Sequence, residues 1–83
     1  MYYVYALKSL KNNDLYIGFS ENLKRRYQQH TSGEVKATAY NRPWKLVYYE
    51  AYFAKLDATK RERQLKNHAA KSDLKKQIEK SFQ

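Results

Sequence analysis

Arg26 and His30 stand four residues apart, and Lys24 and Arg25 precede them in an unbroken basic run. An arginine fork matches the geometry of a phosphate and stays charged, while a histidine titrates near neutral pH. Four residues apart on one helix, the two project from the same face, so together they could hold and activate a phosphodiester. A solvated basic face is the plainer reading, and spacing alone prefers it, because basic helices are common among nucleic-acid binders. Glu62 sits between Arg61 and Arg63. As a lone glutamate among cations it reads either as a surface ion-pair partner or as the one carboxylate ligand of a Mg²⁺ whose remaining positions go to water and phosphate oxygens. Tyr5 and Tyr16 are the remaining candidates. A phenol can orient a water or pass a proton, but with a pKa near 10 it needs a metal or a cation to act as a base.

Several alternatives weaken on inspection. His68 lies six residues beyond Glu62, off its face of a helix, so no His/Glu metal pair is expected there. Two histidines and no cysteine are too few for a zinc site. No Ser/His/Asp grouping, thiol nucleophile or Gly-rich phosphate loop is evident. Most of the nine tyrosines read as packing residues, Tyr2, Tyr48, Tyr49 and Tyr52 among them. Gly18 follows a strand and precedes a helix, where it would either let a phosphate approach the backbone or simply form a turn.

Those residues need elements to position them. Tyr2 to Leu7 and Leu15 to Phe19 are rich in aromatic and β-branched residues and read as two strands. The polar cluster Lys11-Asn12-Asn13-Asp14 between them makes a turn, hence an antiparallel hairpin. Ser20 or Asn22 can cap a helix in which Leu23, Tyr27 and His30 form a stripe, ending at Thr31-Ser32-Gly33 with Gly33 left-handed. Glu34 to Arg42 reads as a loop, and Pro43-Trp44 opens a third strand running to Tyr52. Asp57 is the expected cap of a second helix with Ala58, Arg61, Glu62 and Leu65 along one side. Asn67 to Ala70 is expected to break the pattern, and Ser72 to cap a last helix spaced by Leu74, Ile78 and Phe82. The predicted order is β-β-α-β-α-α in one domain spanning 1–83, an α+β fold with a three-stranded, mainly antiparallel sheet.

The chain carries 17 Lys and Arg against 8 Asp and Glu, a net charge of +9. Folding does not require such an excess; affinity for a polyanion, most commonly nucleic acid, explains it. No apolar run approaches the ~20 residues of a membrane span. The N-terminal segment has neither the basic start nor the apolar stretch of a signal peptide, so a cytoplasmic location is expected.

In order, these blocks resemble the GIY-YIG nuclease superfamily, particularly its small stand-alone bacterial members and the N-terminal nuclease domain of the bacterial excision-repair nuclease. Tyr3-Val4-Tyr5 stands at the first triplet, and Tyr16-Ile17-Gly18 matches the second. The run from Tyr16 to His30 places Arg26 and His30 at the family's arginine and histidine. Arg42 to Glu50 resembles the third strand, and Ala58 to Lys66 resembles the helix bearing the metal-binding glutamate. The resemblance covers residues from about 2 to 66 and implies a three-stranded sheet flanked by helices.

It further implies hydrolysis of DNA with one divalent ion, Mg²⁺ or Mn²⁺, held by Glu62. Arg26 would stabilise charge on the phosphate, Tyr5 or Tyr16 would help activate water, and His30 would shuttle a proton or touch phosphate. Lys24, Arg25, Arg26 and Gly18 would meet the DNA. The pattern departs from the family at three points. Tyr3 replaces the first glycine, Phe19 stands where some relatives carry lysine, and Asn67 is too close to Glu62 to be assigned as the distal asparagine of many relatives.

The resulting expectation is a metal-dependent endonuclease with little sequence preference, in repair or recombination, with selectivity drawn from DNA structure or a partner protein. Two rivals remain open: a nucleic-acid-binding module that does not cut, and a protein-interaction domain with a tyrosine-rich face.

Overall fold

The structure is a computed structural model describing residues 1–82, with side chains described through residue 80. Strand β1 (Tyr2–Ser9) is the middle of a three-stranded antiparallel sheet, between β2 (Leu15–Ser20) and β3 (Trp44–Tyr52). Its residues from Val4 to Ser9 are all buried, because helices cover both faces of the sheet.

The two faces divide by parity. Val4 and Ala6 pack with Leu15 and Ile17 under Ala58 and Leu65 of α2 (Lys55–Leu65) and Leu74 of α3 (His68–Gln77). Tyr5 and Leu7 point the other way, onto Trp44 and onto Leu23 and Tyr27 of α1 (Leu23–Ser32). The period-two alternation of a strand therefore separates a buried aliphatic core, bordered by Tyr2, Tyr48 and Tyr52, from a core centred on aromatic rings, and the candidate tyrosine Tyr5 belongs to the latter. Between Ala6 and Leu7 the pairing with β3 slips by one residue, a bulge that lets Leu46 face Leu7.

The hairpin forms as expected. Asn13 takes a left-handed conformation at φ 63°, which asparagine tolerates better than most residues. The Ser9 N–H donates to the Asp14 carbonyl at 2.9 Å. Helix α1 starts at the second of its two predicted caps, with the Asn22 side chain accepting from the Arg25 N–H at 3.0 Å. Gly33 closes it at φ 83°.

Local chemistry misplaced three boundaries. Helix α2 begins at Lys55 after Ala54, which provides no side-chain cap, and Asp57 lies inside the first turn, where its charge still favours the helix N-terminus. Asn67 ends the break rather than opening it: its side chain accepts from the Ala69 N–H at 3.0 Å and caps α3. Ser72 is consequently inside α3, and the break narrows to Lys66 and Asn67. The 34–42 segment includes a short 3-10 turn, Ala39–Asn41. Leu74 and Ile78 pack into the core as their spacing predicts, while the Phe82 side chain lies outside the described residues.

Among the described residues no helix is long and apolar enough to cross a membrane.

Candidate active site

Tyr5 and His30, from β1 and α1, meet in the aromatic layer. The Tyr5 hydroxyl lies 2.7 Å from His30 Nε2, and His30 Nδ1 lies 2.8 Å from Thr38 Oγ1. All three residues are buried, with Tyr5 only 1% and His30 0% exposed. Thr38 Oγ1 commits its single proton to the Val35 carbonyl at 3.3 Å, so it accepts from His30 Nδ1–H. In that tautomer Nε2 accepts from the phenol. The chain therefore runs from Tyr5 O–H through a neutral imidazole to Thr38 and the backbone. Burial, with the Arg26 charge adding to it, pushes the His30 pKa down to about 4, so the ring is uncharged at neutral pH.

The loop bearing Thr38 is held by Trp44, whose indole N–H donates to the Thr38 carbonyl at 2.8 Å. The Tyr27 hydroxyl in turn donates to the Trp44 carbonyl at 2.8 Å. Tyr16 closes the cluster, its ring edge-on to His30 with centroids 5.2 Å apart.

The phenol of Tyr5 feels the other candidates as well. Burial raises its pKa to about 12; Arg26 pulls it down, while Tyr16 and Glu62 push it up. Tyr5, Tyr16, Arg26, His30 and Glu62, drawn from β1, β2, α1 and α2, thus share one neighbourhood. Arg26 is half-buried, its Nη1 donates to Gln29 Oε1 at 3.0 Å, and among the described residues no acceptor meets its buried Nε in hydrogen-bond geometry. A buried guanidinium N–H without an acceptor is costly, and Arg26 lines a polar hollow with Arg25, Ser20 and Gln29. An anionic oxygen in that hollow would complete the donor's bonding. Lys24 and Arg25 are exposed on the same helix.

Gly18 pairs directly with Tyr5 across the strands. A Cβ there would fall 2.3 Å from both the Tyr5 hydroxyl and its ring carbon. The absent side chain is what seats the Tyr5 phenol, and Gly18 itself is buried. The turn and phosphate readings of Gly18 missed this cross-strand role, although pairing of the two triplets in an antiparallel hairpin contains the signal.

Glu62 is half-buried and bonded to Lys66 Nζ at 3.2 Å, one turn along α2. No group of three or more His, Cys, Asp or Glu able to hold a metal occurs among the described residues. A single carboxylate suits a hard ion such as Mg²⁺, which keeps several waters and takes further ligands from substrate phosphate. The donor set fits that group and does not fit zinc.

A residue given no role by the sequence alone holds α2 in place. Glu50 accepts from Arg61 Nε at 2.9 Å and Nη2 at 3.0 Å, and from the hydroxyls of Tyr48 and Tyr52. Tyr48, Glu50 and Tyr52 alternate along β3 on the side of Val4. A carboxylate interleaved with tyrosines at period two, on a strand face covered by a helix, was the signal for this cluster. Arg61, which the fork of bonds fixes, immediately precedes Glu62. The Glu50 carboxyl is held below its ordinary range: burial opposes this, and the Arg61, Tyr48 and Tyr52 bonds outweigh it.

Comparison with known proteins agrees with this architecture. The family described as the GIY-YIG catalytic domain matches residues 1–77. A UPF0213 protein of Staphylococcus haemolyticus is 37% identical over 75 residues, covering 89% of this chain and 90% of that one. A UPF0213 protein of Staphylococcus saprophyticus is 35% identical over the same shares of each chain. The solution NMR structure of a UPF0213 protein from Bacillus halodurans superposes with a TM-score of 0.56 at 32% identity, covering 89% of this chain and 82% of that one.

Proposed function

The chain belongs to the GIY-YIG family, and from that premise we propose that it is a Mg²⁺- or Mn²⁺-dependent endonuclease cutting DNA, a single domain over 1–83 with little sequence preference of its own. The observation that supports this reading is the unpartnered, buried Arg26 Nε beside the Tyr5–His30 pair.

In this mechanism the scissile phosphate seats on Arg26, supplying the acceptor its Nε lacks. Lys24 and Arg25 guide the flanking backbone by charge. Glu62 would hold the divalent ion, releasing Lys66; the bound ion supplies Lewis-acid charge and a water of lowered pKa. Tyr5 donates a hydrogen bond to His30 Nε2, which leaves its oxygen lone pairs to accept a hydrogen bond from the attacking water and orient it. Tyr5 orients the water rather than taking its proton, because a phenol of pKa about 12 and an imidazole of pKa about 4 disfavour both the phenolate and the imidazolium; the water's proton would leave to solvent. Tyr16 flanks the same imidazole and orients water from the other side. Arg26 stabilises the charge that grows on the phosphate oxygens. Gly18 acts from beneath by seating Tyr5.

Repair or recombination in the cytoplasm is the setting this chemistry suits, with DNA structure or a separate protein choosing the site. A binding module that does not cut is the second reading, favoured by the Lys66 ion pair at the one carboxylate.

The test compares wild type with Glu62→Gln on supercoiled plasmid and on branched DNA, with Mg²⁺, Mn²⁺ or EDTA. Metal-dependent nicking by wild type, lost by on the order of a thousandfold in the variant with DNA binding retained, is expected. Cleavage that persists in the variant removes Glu62 from the mechanism. Tight binding with no cleavage by either protein selects the second reading.

A further inference from the structure

Next to the candidate centre, on the same sheet face, lies an open groove of about 510 Å³ between the first half of α1 and strands β1 and β3. Its walls are the rings of Tyr3, Tyr27 and Tyr49 with Leu46. Tyr49 pairs directly with Tyr5 across the strands, so Gly18, Tyr5 and Tyr49 form one row across the sheet, and the groove begins one strand over from the Tyr5 hydroxyl. Tyr49 is 56% exposed. One side meets the Tyr3 ring edge-on, with centroids 6.1 Å apart.

The groove is chemically unlike the hollow beside it. Apart from Phe19 and Glu21, the Arg25 and Arg26 hollow is lined by cationic and neutral polar groups, whereas the groove carries one lysine and one glutamate, Lys24 and Glu21, against its apolar rings. Cationic guanidinium favours phosphate, and aromatic walls favour a flat, neutral ring system with polar edges. The two hollows meet at Glu21 and Asn22, which line both. A backbone phosphate on one side of this turn therefore leaves a neighbouring base positioned at the other. In continuous duplex that base is paired and stacked, and unavailable without the cost of flipping it out.

We propose that the groove of Tyr3, Tyr27 and Tyr49 receives an unpaired base adjacent to the scissile phosphate, so that the substrate class is DNA with unpaired nucleotides at the cut. This rests on the nuclease reading for its link to a cut but concerns a separate surface. Selectivity then comes from strand structure, because stacking accepts any base.

The experiment uses the Glu62→Gln chain so that binding is read without cleavage. Fluorescence anisotropy compares a short oligothymidylate, an abasic oligomer of equal length and charge, and a duplex of the same length, with and without Tyr49→Leu. Tyr49 is largely exposed, so the leucine variant is expected to fold, which circular dichroism verifies. The oligothymidylate should bind on the order of tenfold more tightly than the abasic oligomer. Tyr49→Leu should erase that difference while leaving abasic binding unchanged. Equal affinity for the two oligomers, a duplex preferred over the single strand, or indifference to Tyr49→Leu overturns the proposal. These readouts also separate it from the nuclease reading: base-dependent binding by a wild type that never cuts refutes the nuclease alone, and duplex cleavage with base-blind binding refutes the groove alone.

Discussion

The buried imidazole of His30 makes stability depend on pH in a window that can be isolated. Its pKa is about 4 in the fold against 6.5 as the ordinary value, and each unit of difference is worth about 1.4 kcal/mol. Because the folded value is the lower one, the unfolded chain binds more protons between the two pKa values. The stability is whole above pH 6.5, declines as pH falls through the window, and is fully lost by about 4, a total of about 3 kcal/mol. From pH 7 to pH 5 the loss amounts to about 2 kcal/mol. Glu50, whose carboxyl is depressed below 4.5, gives up its contribution only in more acidic solution, so the pH 5–7 range reports on His30. Trp44, the one tryptophan and buried beside the site, provides a fluorescence signal for urea unfolding at each pH. His30→Gln can keep hydrogen bonds but cannot take up a charge, so its unfolding free energy should be flat where wild type slopes. Parallel profiles for the two proteins would refute the reasoning. An NMR titration of the His30 ring in wild type decides the matter even if the variant does not fold: a midpoint near 6.5 removes the burial argument.

Further substitutions test the parts around this centre. Gly18→Ala forces a methyl group against the Tyr5 phenol and should cost about 1–3 kcal/mol, with cleavage falling alongside; unchanged urea midpoints and activity would mean that the ring is not seated there. Glu50→Gln removes the charge that the Arg61 fork and two tyrosine hydroxyls share, and should cost about 2 kcal/mol in urea unfolding. Arg61→Met added to Glu50→Gln should then cost much less than it does in wild type, and additive losses would argue against the cluster. Lys24→Glu and Arg25→Glu should each weaken DNA binding and lower the slope of log K against log salt by about one; a slope that does not move places the DNA elsewhere.

Periodicity made most of the fold legible. The hairpin, the α1 stripe ending on a left-handed glycine and the tyrosine-rich third strand all follow from residue types at period two or near 3.6. Where the reading slipped, a residue with a good capping side chain was present but unused. Asp57 and Ser72 have the right chemistry, yet Ala54 starts α2 without a side-chain bond and Asn67 starts α3 earlier. Capping is worth about 1 kcal/mol, less than what burying Ala58, Leu65 and Leu74 contributes, so packing decides where the helices begin. The candidate site was legible as residue types but not as partnerships. Thr38 lies in a segment without any period, and only the tertiary fold brings it under His30.

On the proposed mechanism, the Glu50 cluster is what would let a single carboxylate serve the centre. Arg61 and Glu62 are adjacent on α2, and successive helical residues turn by about 100°, so the pair cannot point to one place. Arg61 is committed to the β3 face through its fork on Glu50, and this fixes the rotation of α2 about its own axis. Glu62, one residue on, projects from a different side of α2, and its charge is the smallest of those acting on the Tyr5 phenol. A site assembled from many carboxylates tolerates some rotation of each helix, because the remaining ligands hold the ion. With one carboxylate there is no such redundancy, and the precision has to come from the scaffold. The tyrosines that saturate Glu50 have the same effect at one remove, since they leave its oxygens with no other geometry in which all their bonds are made. Loosening Glu50 should therefore raise the metal concentration needed for cleavage more than it lowers the affinity for DNA, and a metal requirement that stays constant would show that α2 keeps its rotation by packing alone.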